Sequence, residues 1–528
     1  MLTLSRRFAV LFGFATVLLL LHCTPVLAAW QHDGIPLSPP GVTAGPSIGR
    51  DATGGLIVAW ANDSIHLEVH ALRVSADGSN ASGWSYGGVD IADIPPGLLY
   101  SVLGIGDVLP DGDGGAYVVY NRAITAGTNG SIARVLGTGV VAPGWPLDGA
   151  GDGPLGIAPD DAGGVLYAYG SPSRFGFPSS YLFKRRRGDA TLAGAYVPTV
   201  NATNDPASID TDHAGGAIGA CLCELTGLDT TMAVRWNGSP WPGCTGGLKV
   251  VSDGDHGAFL VWYAGSSVKV ARVDQAGDLV SGWNPNGVTV GTLYVSSSAS
   301  LAYDGTGGCF VMWRGAGGYM VQRFTATGSI VPGWPASGAP IGAAATIQAV
   351  TRMVPDGAGG LYVGWGNLAQ HLDSAGAPVA GWAATGSPIS QAPGSKTNLT
   401  AASDDAGGVY FAWRDGRTNP PQVYGQHLLA SDVILLSAPL AQTTALAIVP
   451  LANPSARVIK CSVMLPSSAP ARMEVFDTLG RRVSGQIIGG AVGARVASID
   501  VAGSSAGVYL VRVSQGAHSV ATRVVLIQ

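Results

Sequence analysis

The sequence predicts an all-β protein: an eight-bladed β-propeller closed by N-terminal strand exchange, followed by a small C-terminal antiparallel β-sandwich. Three observations carry this prediction. A hairpin phrase recurs eight times, a Gly-Trp phrase recurs at a matching interval, and the strand pattern changes near residue 448. A period near fifty residues, with β-branched and aromatic strands, is typical of a propeller blade of four short strands.

The first phrase is an Asp, two or three spacer residues, usually a Gly pair, and an apolar run that often ends in Trp. Its second Gly position falls at residues 55, 115, 164, 216, 257, 308, 360 and 408, so successive copies are 60, 49, 52, 41, 51, 52 and 48 residues apart. Asp and Gly suit a tight turn because both tolerate left-handed backbone. The apolar run fits a strand covered on both faces. The copies begin at Asp51, Asp111, Asp161, Asp212, Asp253, Asp304, Asp356 and Asp404.

The second phrase, Gly-Trp followed by small residues and an apolar pair, fixes the blade count. Seven copies follow the hairpins, at Trp84, Trp145, Trp241, Trp283, Trp334 and Trp382, with a worn copy near Ala193 to Thr199. The eighth copy stands at Trp30, ahead of all the hairpins. The segment at Trp30 is therefore predicted to be the outer strand of the last blade, which holds Trp413. Such an exchange removes an open sheet edge.

The N-terminal segment and the charge balance indicate a secreted protein that does not bind nucleic acid. Residues 1–28 have Arg6 and Arg7, an apolar run from Phe8 to Leu21 and a small-residue cleavage site at Ala28, as a secretory signal does. Its removal takes the basic residues from 29 to 27 against 34 acidic ones, a net charge of −7. Nucleic acid favours a basic face instead. No later stretch is long enough to cross a membrane.

Five cysteines remain after residue 28: Cys221, Cys223, Cys244, Cys309 and Cys461. Secretion permits disulfides, but five cysteines cannot all pair. Cys221 and Cys223 end one hairpin strand, and Cys244 falls in the predicted outer strand of the same blade. We therefore expect a disulfide from Cys244 to Cys221 or Cys223, with Cys223–Cys244 as the candidate pair. The C-x-C spacing has no fourth ligand for zinc, so no metal site is expected there.

A second domain is predicted after the repeats end at Leu429. The propeller is assigned to residues 29–435, a small-residue linker to 436–447 and a β-sandwich to 448–528. Alternating strands and turn residues mark this last segment, with Asp477 and Gly480 forming a hairpin turn and Gly507 preceding a strand.

The last fifth of the chain resembles the C-terminal sorting domain of type IX secretion cargo and the related immunoglobulin-like module of flagellar hook-capping proteins. The residues that carry the resemblance are Asn453, Pro454, Asp477, Gly480, Arg481, Gly507, Tyr509 and Arg523. Arg523 stands where family members often have Lys, which keeps the charge. The resemblance implies the type IX secretion machinery as partner and a place outside, or on the outer surface of, a Gram-negative-type bacterium. The alternative is an accessory β-sandwich without a sorting role.

The repeats themselves resemble those of large bacterial surface propellers, with a W-x-D-x-R…Y-x-Q-R pattern in WRDGRTNPPQVYGQHL from Trp413 to Leu428. Loops after the Trp strands are expected on the rim opposite the Gly-Gly turns. There the non-repetitive residues Arg314, Arg414, Asp415 and Arg417 are the candidate ligand-binding residues. Arg can grip a carboxylate or a sugar acid. The alternative is an Arg–Asp pair that braces a loop. Polar residues on earlier blades accompany them: Asn62, Asp63, Asn121 and Arg122.

No catalytic residue, metal ligand or cofactor is assigned from the sequence. The repeated Asp residues are interpreted as turn formers, although Asp111-Gly112-Asp113 resembles a fragment of a calcium loop. The His residues occupy different places in the repeat, and the run from Lys184 to Arg187 is interpreted as a solvated strand end. Catalytic motifs are lacking, and Glu68 and Glu224 stand alone in the propeller, which disfavours a two-carboxylate glycosidase.

The predicted function is therefore a secreted binding or scaffold module for an extracellular ligand, either glycan or protein. The alternative is a carbohydrate-active hydrolase or lyase on the same scaffold. Acidic and basic side chains meeting at the channel mouth within about 10 Å of one another would favour that alternative.

Overall fold

The computed structural model describes residues 30, 33–63, 67–94, 101–124, 127–147, 154–170, 181–198, 207–238, 241, 243–294, 299–342, 349–430, 446–450, 454–455, 457–465, 467, 469–488, 493–516 and 518–527. Every regular element in these ranges is a β-strand. Accordingly, they contain no helix with the length and hydrophobicity needed to cross a membrane. The expected signal segment 1–28 and residues 436–445 of the expected linker lie outside them.

Eight antiparallel sheets, here called blades 1 to 8, lie between residues 35 and 428. The short strand β1 (Ile35–Pro36) belongs to blade 8. Blade 1 contains β2 (Val42–Arg50), β3 (Leu56–Asp63), β4 (Leu67–Val74) and β5 (Val89–Ile94). Blade 2 contains β6 (Ser101–Pro110), β7 (Ala116–Ile124) and β8 (Gly127–Val135). Blade 3 contains β9 (Pro154–Pro159), β10 (Val165–Gly170), β11 (Tyr181–Arg186) and β12 (Leu192–Tyr196).

Blade 4 contains β13 (Ser208–Thr211), β14 (Ala217–Cys221), β15 (Glu224–Leu228) and β16 (Val234–Gly238). Blade 5 contains β17 (Gly246–Ser252), β18 (Ala258–Ala264), β19 (Ser267–Val273) and β20 (Val288–Thr292). Blade 6 contains β21 (Ser300–Tyr303), β22 (Cys309–Gly315), β23 (Gly318–Phe324) and β24 (Ala339–Ile341). Blade 7 contains β25 (Val354–Pro355), β26 (Leu361–Trp365), β27 (Leu368–Leu372) and β28 (Ser387–Pro388). Blade 8 contains β29 (Lys396–Ser403), β30 (Val409–Asp415) and β31 (Gln422–Leu428), together with β1.

The all-β propeller architecture confirms the predicted fold class. In each blade the strands pair in chain order, and the first strands of successive blades contact one another, so the first strand is the inner one. The second strands are almost wholly buried. In β14 and β26, for example, every residue is buried. This is the burial expected where blades cover one another face to face.

The N-terminal segment pairs with the last blade. Ile35 and Pro36 pair with Gly425 and Tyr424 of β31, which places β1 as the outer strand of blade 8. On the inner side, β29 contacts β2 of blade 1. Tyr410 in blade 8 also donates its hydroxyl to the carbonyl of Gly54 in blade 1, at 2.7 Å. These contacts join the last blade to the first. Eight blades in a closed ring stay our prediction, which these contacts support.

Indole groups tie six of the blades to the next one. Trp84 donates Nε1 to the carbonyl of Gly137, and Trp283 donates to Ala326, each in the turn before the outer strand of the following blade. Trp30 donates in the same way to Ala76, from blade 8 to blade 1. In blade 4 this role belongs to Trp236, which donates to Gln275. The assignment of Trp241 to this phrase was therefore wrong, because Trp241 follows the outer strand instead of beginning it.

The C-terminal residues form two facing antiparallel sheets. One contains β32 (Ala447–Pro450), β33 (Val458–Leu465) and β36 (Gly493–Asp500), and the other contains β35 (Arg482–Ile488), β34 (Ala471–Phe476), β37 (Gly507–Gln515) and β38 (His518–Leu526). Buried side chains from both sheets, such as Ile459, Met473 and Val511, share one core. This arrangement is the predicted β-sandwich.

Candidate functional site

The repeated Asp residues close the turns between inner and second strands, and each contacts an Arg or His side chain of its own blade. In blade 6, Asp304 Oδ1 accepts the amides of Thr306 and Gly308, both at 2.8 Å. Its other oxygen accepts Arg323 Nε at 2.9 Å and a terminal guanidinium nitrogen at 2.8 Å. Burial alone would raise the pKa of Asp304, but these bonds outweigh it and lower the pKa. The Asp residues thus have the predicted structural role.

A contact between the Asp carboxylate and a basic side chain occurs in all eight described turns. The pairs are Asp51–Arg73, Asp111–Arg134, Asp160–Arg185, Asp212–Arg235, Asp253–Arg272, Asp304–Arg323, Asp356–His371 and Asp404–His427. In blade 4 the basic side chain is Arg235 of the outer strand. Gly227 occupies the third-strand position that holds the basic residue in the other blades, and the Trp236 ring packs over that glycine.

Three sequence-based assignments change as a result. The turn residue of blade 3 is Asp160, whose Oδ1 accepts the amides of Ala162 and Gly164, and not Asp161. A spacing of four residues from Asp to the second Gly, kept by the other copies, identifies it. The His residues do not all differ in position, since His371 and His427 occupy equivalent sites on third strands. Likewise, Arg185 in the basic run is buried against Asp160.

Asp415 and Arg417, predicted on the ligand-binding rim, contact each other. Asp415 is fully buried and accepts Trp413 Nε1 and an Arg417 guanidinium nitrogen, both at 2.7 Å. Arg417 also donates to the carbonyl of Asp33 at 2.8 Å and lies 3.8 Å from the Tyr424 ring centroid. Burial by itself would raise the pKa of Asp415, but Arg417 and Trp413 stabilise the carboxylate more, so the pKa is lowered. These contacts match the alternative interpretation, a pair that braces a loop.

The other rim residues are distributed over several blades. Arg414 donates Nε to the carbonyl of Val42 at 2.9 Å, which links blade 8 to blade 1. Asn62 and Asn121 lie near the ends of second strands, as expected. The side chains of Asp63 and Arg122 are outside the described part of the chain.

Arg314, at the end of the second strand of blade 6, lies beside two tyrosines. Its guanidinium carbon is 5.7 Å from the Tyr294 ring centroid and 5.8 Å from that of Tyr319. Tyr294 is 50% exposed, and its amide donates to the Arg314 carbonyl at 2.8 Å. Cation–π contact holds a guanidinium near the aromatic faces. This position therefore offers an exposed aromatic surface next to a planar cation.

A polar cluster on blade 1 was missed by the sequence reasoning, although Glu68 and His70 share one face of β4. His70 Nδ1 lies 2.7 Å from Asp90 Oδ1, and its Nε2 lies 3.3 Å from Glu68 Oε2. Asn62 Nδ2 is 3.0 Å from the same Nε2. The cluster sits on the third and outer strands and not on the inner strand, so it differs from the channel-mouth cluster that would have favoured a hydrolase.

Cys223 and Cys244 form a disulfide with an S–S distance of 2.03 Å. Cys221, Cys309 and Cys461 are buried thiols outside this disulfide. Burial raises the pKa of the Cys461 thiol to about 11.

The predicted sorting residues lie in the C-terminal sandwich, apart from Asn453, which is outside the described residues. Asp477 accepts the amides of Leu479 and Arg481, and Gly480 has the positive φ of 78° that this turn needs. Tyr509 is buried and donates its hydroxyl to the Ser505 carbonyl at 2.8 Å.

Pro454, Gly507 and Arg523 are exposed. Next to Pro454, the amide of Ser455 donates to the Val525 carbonyl at 2.8 Å, which ties the start of the domain to its last strand.

Known structures resemble the chain only loosely. A Bacteroides caccae protein of unknown function is 16% identical, with a TM-score of 0.29, over 47% of this chain and 88% of its own. A Dyadobacter fermentans protein of unknown function is 11% identical, with a TM-score of 0.32, over 75% and 98%. Prolyl oligopeptidase B from Galerina marginata is 10% identical, with a TM-score of 0.37, over 82% and 57%. Similarities of this size carry no argument about function.

No curated protein matches the chain. Residues 452–528, however, match the family described as "Secretion system C-terminal sorting domain". The match includes all eight residues on which the resemblance was based, from Asn453 to Arg523. The chain is thus a secreted or cell-surface propeller protein that ends in a C-terminal sorting domain of the type IX secretion system.

Proposed function

We propose that the propeller binds an extracellular ligand at the rim around Arg314. The sorting domain directs export of the propeller to the cell surface or the medium, where it meets this ligand. The observation that carries the proposal is the position of the Arg314 guanidinium beside Tyr294 and Tyr319, with Tyr294 half exposed. A planar cation next to an open aromatic face can bind a carboxylate and stack against a sugar ring or an apolar group.

An acidic glycan is the ligand class that this surface fits best. Its carboxylate would meet Arg314, and its ring would lie on Tyr294. A protein ligand that presents a carboxylate beside an apolar side chain is the second candidate. Arg414, Asp415 and Arg417 contribute less to the proposal, because their contacts brace blade 8 against its neighbours.

A glycan array with the mature chain, residues 29–528, tests the proposal. We expect binding to uronic-acid or sialic-acid glycans, with at least a tenfold loss in Arg314→Ala and in Tyr294→Ala (order of magnitude from a charge-assisted contact). Arg314→Lys should also bind weakly, since Lys cannot form the planar contact. Arg187→Ala is the control, because Arg187 is an exposed Arg of blade 3. Equal binding by all four variants would contradict the proposal.

A further inference from the structure

The polar cluster of blade 1 lies where two strands depart from regular pairing. Glu68 and His70 are two residues apart on β4, and Asp90 opposes His70 on β5. Between Val69 and His70 the pairing register shifts, which leaves Ile91 as an extra residue in β5. A bulge of this kind redirects a neighbouring side chain. Here it accompanies the approach of the Asp90 carboxylate to the His70 ring.

The hydrogen-bonding capacity of this cluster is not satisfied. His70 is only 6% exposed, and its Nδ1 contacts Asp90 Oδ1 at 2.7 Å without the alignment of a hydrogen bond. Asn62 Oδ1 is also buried without a hydrogen-bond partner. Leaving buried polar atoms without well-aligned hydrogen bonds is costly.

The blade architecture does not require His at this position. His70 opposes Trp60 on the second strand, and their rings stack with centroids 5.5 Å apart. In blades 5, 6 and 7 the residues that oppose the corresponding Trp are Lys269, Met320 and Leu368. An apolar or flexible side chain thus suffices to cover the indole, and the imidazole of blade 1 calls for another explanation.

We propose that Glu68, His70 and Asp90 bind a divalent transition-metal ion, with Zn²⁺ as the best-fitting species. One ligand atom from each residue lies within 4.8 Å of the others. A single ion would take one imidazole nitrogen, and Nδ1, beside Asp90, is the candidate. The Glu68 carboxylate, which lies beside Nε2, would turn towards that ion to complete bonds of about 2.0–2.2 Å. Two carboxylates balance the charge of the ion. The imidazole favours Zn²⁺ over Ca²⁺, which takes six to eight oxygen ligands.

The site would be open on one side. The Asp90 side chain is 63% exposed and that of Glu68 is 33% exposed, whereas the His70 side chain is 7% exposed. The ion would therefore sit on a buried imidazole with its fourth position facing solvent. Three protein ligands and one exchangeable position are typical of zinc sites that bind water or an external ligand.

Titration of the untagged, chelator-treated mature chain with Zn²⁺ tests the proposal, by calorimetry. We expect one equivalent to bind, and Glu68→Gln and Asp90→Asn each to weaken binding about tenfold or more. Both substitutions keep the side-chain shape at partly exposed positions, so the fold should persist, which thermal melting checks. His213→Gln is the matched control, because His213 contacts a single carboxylate, Asp161, at 2.9 Å.

A crystal grown with Zn²⁺ provides the second measurement, an anomalous scattering peak between the three side chains. A protonated His70 held between two carboxylates would bind no metal. Absence of one-equivalent binding would accordingly overturn the proposal, as would binding that is unchanged in both Glu68→Gln and Asp90→Asn. Loss of binding in His213→Gln alone would place the ion elsewhere and overturn it as well.

Discussion

The buried Asp of each propeller turn has two structural roles, one for each carboxylate oxygen. One oxygen accepts the amides of the turn, and the other contacts an Arg or His side chain from a later strand of the same blade. In blade 6, the Asp304 and Arg323 side chains are only 2% and 10% exposed. Arg323 also donates to the Gly359 carbonyl in blade 7 at 3.0 Å. A single guanidinium thus supports a turn and an interface between blades.

Removal of that guanidinium should destabilise the propeller strongly. We expect Arg323→Met to lower the free energy of unfolding by ~3–5 kcal/mol, because Asp304 is left as a buried charge without its partner. Urea unfolding followed by tryptophan fluorescence measures the change. Arg50→Met is the control, since Arg50 and Asp405 pair with side chains 50% and 45% exposed. Exposed pairs contribute ~0–1 kcal/mol. Similar losses in both variants would contradict this role of Arg323.

The same carboxylates predict sensitivity to acid. Burial opposes ionisation of Asp404, yet the hydrogen bonds from His427 and from the Ala406 and Gly408 amides lower its pKa below the ordinary 3.8. A lowered pKa in the folded state contributes stability that is complete above about pH 4 and is lost as the pH falls through the folded value.

Melting temperatures between pH 2.5 and 7 test this expectation. Asp404→Asn should melt at a lower temperature than the parent chain at neutral pH. Its melting temperature should fall less on acidification, because Asn cannot take up the proton that destabilises the folded parent chain. Asp405→Asn controls for the loss of a negative charge at an exposed neighbour. An acid-dependent fall in Asp404→Asn as large as that of the parent chain would show that this carboxylate is not responsible.

Strand order within the blades follows from local signals, and for that reason much of it could be predicted. Asp-Gly turns and apolar runs act within about ten residues, so the eight hairpins and the N-terminal strand were found from the sequence. The basic residue opposite each Asp was not, because the hairpin of second and third strands varies in length from blade to blade. Arg73 follows its Asp by 22 residues and His371 by only 15. The Glu68–His70–Asp90 cluster escaped notice because a register shift, invisible in the sequence, brings Asp90 to His70.

The predicted closure of the ring depends on the N-terminal strand. Trp30 is 5% exposed, packs 5.5 Å from the Tyr410 ring and donates to blade 1. We expect Trp30→Ala to lower the free energy of unfolding by ~3–5 kcal/mol. Deletion of residues 29–40 should lower the melting temperature further, since it also exposes the edge of β31.

Trp241→Ala is the matched control for this experiment, because Trp241 lies outside the series of indoles that bond the next blade. Its substitution should affect stability less than that of Trp30. If the chain without residues 29–40 melts at the temperature of the full mature chain, N-terminal strand exchange does not hold the propeller together, and the closed ring would have to be abandoned.

Across the whole molecule, the propeller and the C-terminal sandwich have separate cores. The C-terminal sandwich has its own buried cluster, formed by residues from Leu446 to Leu526. The propeller has its own inter-blade packing and its own ion pairs. The low share of charged residues, 12% of the whole chain, suits a protein whose sheet surfaces are mostly covered. Independent cores imply that export and ligand binding can be separated experimentally.

Deletion of residues 453–528 should leave the propeller folded and hold it in the periplasm. The sorting domain is the part of the chain that the type IX system reads, and the propeller core contains none of its residues. Fractionation of cells that produce the truncated chain, with melting of the purified propeller, measures both effects. As the matched control, residues 446–528 fused to a periplasmic reporter should send that reporter out of the cell. Secretion of the truncated chain at the normal level would refute the sorting role, whereas a large drop in the melting temperature would show that the sandwich stabilises the propeller.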